Sequence, residues 1–84
     1  MKTINLGAEH DKALTGAIRK ALEKLKAVRT DRSHPTTFFW DFEWASFNTS
    51  LGSITIEWET YIGVTATGED STVDRFVALV KTFL

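Results

Sequence analysis

The chain has 84 residues, of which 43% are hydrophobic, 12% aromatic and 25% charged, a composition that fits one globular α+β domain over 1–84 and excludes a disordered chain. It has no cysteine, which removes disulfide staples, thiolate zinc sites and cysteine nucleophiles together. The net charge is -1, which supplies no bulk pull toward nucleic acid or an anionic membrane, and no apolar run nears the roughly 18 residues of a membrane span, so the expected location is the cytoplasm.

In chain order, residues 1–6 alternate through Lys2, Ile4 and Leu6 and are read as a short edge strand. A helix is predicted over 8–30. Leu14, Ala17, Ile18, Ala21, Leu22, Leu25 and Val28 recur at spacings of three and four and fill an arc of about 140°. Lys12, Arg19, Glu23, Lys26 and Thr30 take the opposite side, with Lys20 and Lys24 on its flank. Pro35 has no amide donor and disfavours helix at His34, so 30–35 ends the element.

Strands follow. Over 37–47, Phe38, Trp40, Phe42 and Trp44 point one way, and Phe39, Asp41, Glu43 and Phe47 the other. Residues 48–52 are rich in turn formers. Alternation resumes in the same phase, with Ile54, Ile56, Trp58, Ile62, Val64 and Ala66 on the even side and Thr55, Glu57, Glu59, Tyr61, Thr65 and Thr67 on the odd side. One straight strand over 53–67 would exceed the usual limit of about 10 residues. It either bends near 61–63 or turns there into a third strand, and periodicity does not separate the two.

The last element is a helix starting at Ser71 or Thr72 and running to the C-terminus. Ser71 is the expected N-cap, with Asp74 three residues on. Val73, Phe76, Val77, Leu79, Val80, Phe83 and Leu84 span an arc of about 160°, so most of this helix should be buried. The expected fold is two helices on one face of a two- or three-stranded antiparallel sheet, in the order (β)-α-β-β-(β)-α. The expected core is Phe38, Trp40, Phe42, Trp44, Ile54, Ile56, Trp58, Ile62 and Val64 against the two helix stripes.

That packing leaves Asp41, Glu43, Glu57 and Glu59 on the odd face. A hairpin that keeps both strands in phase pairs residues whose numbers sum to an even value. A turn centred on Ser50 sets Asp41 opposite Glu59 and Glu43 opposite Glu57; one centred on Thr49 sets Asp41 opposite Glu57. Like charges so opposed destabilise a sheet. Phe39, Phe47 and Tyr61 share the face. Carboxylates beside exposed aromatics read as a docking surface for a protein partner, including one that itself binds nucleic acid. A homodimer interface and a plain solvated face are the other readings. A flat face neither wraps a hard cation nor encloses a substrate, so no metal, cofactor or catalytic residue is assigned.

Both histidines lack metal-ligand spacing, and the five glycines fit no phosphate-binding template. His10 lies at the apolar edge of the first helix, where packing or capping explains it. His34 sits in Arg32-Ser33-His34-Pro35, ahead of the first long strand. This Ser-His pair and its layout resemble the Gly-Ser-His motif of the HicA-type RNase toxins, which are built as helix, three strands, helix. The resemblance implies RNA cleavage through His34. Arg32 stands where those toxins have glycine, and their strong positive charge is missing here.

Residues 1–35 hold eight cations and four anions, a net of +4, and residues 36–84 hold two and seven, a net of -5. The layout also resembles the double-stranded-RNA-binding domain. That resemblance fails at the start of the last helix, where Glu69-Asp70-Ser71-Thr72-Val73-Asp74 would repel phosphate, and direct nucleic-acid binding is not expected. The leading reading is a non-enzymatic protein-binding inhibitor or adaptor docking through Phe39, Asp41, Glu43, Phe47, Glu57, Glu59 and Tyr61. In size and layout such a chain resembles small phage anti-CRISPR proteins, which implies an anti-defence role. The alternatives are an RNase-toxin-like RNA-binding protein using His34 and a homo-oligomeric structural protein. A second candidate surface is the basic side of the first helix, at Arg19, Lys20, Lys24 and Lys26.

Overall fold

The computed structural model describes residues 1–8, 11–32, 42–59 and 63–84, and for 31, 32, 42, 43 and 59 the backbone alone. The element order is β1 (Lys2–Gly7), α1 (Lys12–Lys24), β2 (Val28–Arg32), β3 (Phe42–Thr49), β4 (Gly52–Glu59), β5 (Gly63–Gly68) and α2 (Asp70–Thr82). All neighbouring strands are antiparallel, in the spatial order β1-β5-β4-β3-β2. The α+β class agrees with the sequence. Among the described residues, however, the sheet has five strands rather than two or three, and an additional strand, β2, follows α1.

That extra strand comes from the end of α1. Asp11 caps the helix by accepting from the Leu14 amide at 3.1 Å. The apolar stripe predicts helix to residue 30, yet the helix stops at Lys24. Lys26 takes φ 53°, and its amide donates to the Glu23 carbonyl at 3.1 Å, while the Ala27 amide donates to the Leu22 carbonyl at 2.9 Å. This pair of bonds is the Schellman reversal, usually built on glycine. Val28, three residues past Leu25, continues the stripe by coincidence of phase. It belongs to β2 instead and is 64% exposed. β2 lies beside β3, with a bulge between Arg29 and Asp31.

The reading of 53–67 resolves into two strands, β4 and β5, while Tyr61 and Ile62 lie outside the described residues. The β3–β4 hairpin turns on Ser50 and Leu51 alone, so that Thr49 pairs with Gly52, Phe47 with Ile54, Ser46 with Thr55, Ala45 with Ile56 and Trp44 with Glu57. The paired numbers sum to an odd value, which corrects both in-phase registers expected from the alternation. Because side chains alternate with period two, a slip of one residue exchanges the faces of one strand relative to the other.

The turn is held from both sides. The Ser50 amide donates to the Leu25 carbonyl at the end of α1, at 3.2 Å. The buried Thr72 hydroxyl, in the first turn of α2, donates to the Leu51 carbonyl at 2.8 Å. Gly52 takes φ +125°, and a Cβ there would meet Thr72 Oγ1 at 3.0 Å. The backbone position that this tight turn requires is thus met by the residue type that tolerates it. α2 starts at Asp70, with Glu69 as an N-cap that makes no side-chain capping bond. Ser71 is therefore not the cap, and its neighbour Thr72 carries the anchoring bond. At the other edge, the Lys2 ammonium pairs with Asp74 at 2.7 Å and the terminal amine with Asp70 at 3.5 Å, tying β1 to α2.

Both helices lie on one face of the sheet. Leu14, Ala17, Ile18, Ala21 and Leu25 of α1 meet Phe76 and Val80 of α2 over Ile54, Ile56, Val64 and Ala66, with Leu6, Leu22, Phe47, Leu51, Trp58, Leu79 and Phe83 packed around them. The expected core holds for Ile54, Ile56, Trp58 and Val64 and is corrected at Trp44, which the register moves to the other face. Phe38, Trp40 and Ile62 lie outside the described residues, as do His10 and His34, and the side chain of Phe42 is not among those described. No helix among the described residues is long and apolar enough to cross a membrane.

Candidate docking face

The sheet face opposite the helices is set by the strand registers. One row crosses four strands: Thr3 on β1 is opposite Thr67 on β5, Thr67 is opposite Thr55 on β4, and Thr55 is opposite Ser46 on β3. Its hydroxyls meet in pairs, Thr3 with Thr67 and Ser46 with Thr55, each at 2.9 Å. A second row, about 7 Å along the strands, runs Asn5, Thr65, Glu57 and Trp44. Beyond the first row, Ser53 donates to Asn48 Oδ1 at 2.8 Å. Thr55, Glu57, Thr65, Thr67, Trp44 and Ser46 are all half-buried, while Ile54, Ile56, Val64 and Ala66 between them are buried beneath the helices.

The expected site residues divide. Glu57 is on this open face, opposite Trp44 on one side and Thr65 on the other. Phe47 is not: it packs against the core on the helix side, and this corrects its placement beside the carboxylates. Glu43 is paired with Trp58, and Glu59 with Phe42. The expected pairing of Glu43 with Glu57 is therefore absent, and the like-charge repulsion it implied does not arise. Phe39, Asp41 and Tyr61 lie outside the described residues.

Sequence reading missed two components. Trp44 shares the phase of Phe38, Trp40 and Phe42, and only the length of the turn reveals that this phase is not the phase of Ile54 and Ile56. The hydroxyls of this face were visible in part as Thr55, Thr65 and Thr67 on one side of the alternation, a pattern overshadowed by the acids.

Chemically, the face offers hydroxyls that donate and accept, one indole ring and one placed carboxylate. No cation lies on it among the described side chains. The second candidate surface points the other way: Arg19, Lys20, Lys24 and Lys26 are exposed on and just beyond α1. Among the described residues, no group of three or more histidine, aspartate or glutamate side chains could hold a metal ion. No protein-family model, curated protein or solved structure matches the chain.

Proposed function

We propose that the chain is a non-enzymatic binding module that docks a protein partner on the helix-free face of its sheet, with Trp44 and Glu57 at the centre of contact. The observation that carries this reading is the cross-strand pairing of Trp44 with Glu57 on a face that neither helix covers. An aromatic ring with a polar surround is the kind of residue that anchors protein interfaces. The hydroxyl rows supply hydrogen bonds without the entropy cost of ordering long side chains. A face with a carboxylate and no cation among its described side chains complements a basic surface, such as one that reads phosphate. That complementarity supports an inhibitor or adaptor acting in the cytoplasm on a nucleic-acid-binding protein, the role that an anti-defence protein would fill.

Affinity capture with three tagged forms tests the reading: wild type, Trp44→Ser with Glu57→Lys, and Lys20→Glu with Lys24→Glu. The expected result is a partner held by the wild type and the helix variant and lost from the sheet variant. Retention by the sheet variant with loss from the helix variant would assign binding to α1 instead.

A further inference from the structure

Among the described residues, the helix side of the sheet is not fully covered. α2 packs beside α1 over β1, β5 and β4, and a groove of about 350 Å³ remains between α1 and the β3–β4 part of the sheet. One flank of α1 supplies Thr15, Ile18, Arg19, Leu22 and Glu23, at the three- and four-residue spacings that share a helix side, and Ala27, Phe47 and Trp58 complete the lining. Leu22, Phe47 and Trp58 pack against the core yet stay half-buried, which leaves apolar area turned to the opening. A concave site of this size, mostly apolar with a few polar groups at its rim, is of the small-ligand type.

Charge at the rim narrows the ligand. Arg19 lines the groove. Arg29, on β2, is directly opposite Phe47, so it stands on the same face at the far side. Neither guanidinium has an ion pair or side-chain hydrogen bond among the described residues. Among the described lining residues Arg19 and Glu23 are the charged groups and balance each other, and Arg29 adds a cation at the far side. We infer that the groove binds a small apolar anion, an aromatic or branched aliphatic carboxylate, with its body against Phe47 and Trp58 and its carboxylate toward Arg19 and Arg29. This site is on the opposite side of the sheet from the docking face and does not depend on it.

The test is a titration of the full ¹⁵N-labelled chain with naphthalene-2-carboxylate and, separately, with its uncharged counterpart naphthalene-2-methanol. The carboxylate is expected to cause saturable amide shifts at Leu22, Ala27 and Phe47 and at the Trp58 indole. It should bind about three- to ten-fold more tightly than the alcohol, as expected of contacts to two exposed cations. Arg19→Gln with Arg29→Gln should abolish that preference while the alcohol still binds. Absence of saturable shifts, shifts confined to the Trp44–Glu57 face, or equal affinity for acid and alcohol in the wild type would each overturn the inference. The acid–alcohol comparison requires no variant, so it stands whatever the double substitution does to folding.

Discussion

Lys26 holds a backbone conformation that costs an L-residue roughly 1–2 kcal/mol, at φ 53°. Glycine carries no such penalty there, although it loses more entropy on folding. Lys26→Gly is therefore expected to raise stability by about 1 kcal/mol, read as a shifted urea midpoint at constant slope. A lower midpoint would mean that α1 does not end in a left-handed residue. Lys2 illustrates a different residue-level effect. Its hydrogen bond to the Asp74 carboxylate raises its pKa above the ordinary 10.5. A raised lysine stabilises the fold fully below its unfolded pKa and loses that contribution as pH climbs through the folded value. The melting-temperature difference between wild type and Lys2→Met should thus be constant from pH 7 to 9 and shrink only above pH 10.5. Shrinkage beginning near pH 8 would contradict the pairing.

Among the elements, those whose apolar pattern is uninterrupted were legible. The stripe of α1 holds from Leu14 to Leu25, and that of α2 from Val73 through Val80. The end of α1 was not legible, because a lysine occupies the position where glycine would have marked the reversal and Val28 continues the helical phase. The β3–β4 register was not legible either. Strands on both sides of 48–52 alternate in one phase, and only the two-residue turn, held by Leu25 and Thr72, shifts it. With the register shifted, Glu43 pairs with Trp58 and Trp44 takes the position opposite Glu57. β1 and β5 approach closely at Gly63, where φ is +103° and a Cβ would collide with the Gly7 carbonyl. Gly63→Ala is expected to destabilise by about 2 kcal/mol or more, measured by chemical denaturation. A cost near zero would show that β1 does not dock there as described.

At the scale of the whole molecule, the two faces of the sheet differ in burial. Stability resides beneath the helices, where Phe76 is 1% exposed, and Phe76→Ala should cost about 3–5 kcal/mol. On the open face Trp44 is only half-buried, so Trp44→Ser should cost less, about 1–2 kcal/mol. Equal losses in the two variants, by urea denaturation, would mean that Trp44 belongs to the core. The makeup of both faces depends on one relation, the register of β3 against β4. The cysteine-free chain permits a direct measurement of it, by mild oxidation of two double variants followed by mass analysis. Ser46 and Thr55 have hydroxyl oxygens 2.9 Å apart, so Ser46→Cys with Thr55→Cys should close a disulfide readily. Ser46→Cys with Ile54→Cys should not, since those positions lie on opposite faces. A disulfide between 46 and 54, with none between 46 and 55, would contradict the register and return Trp44 to the helix side.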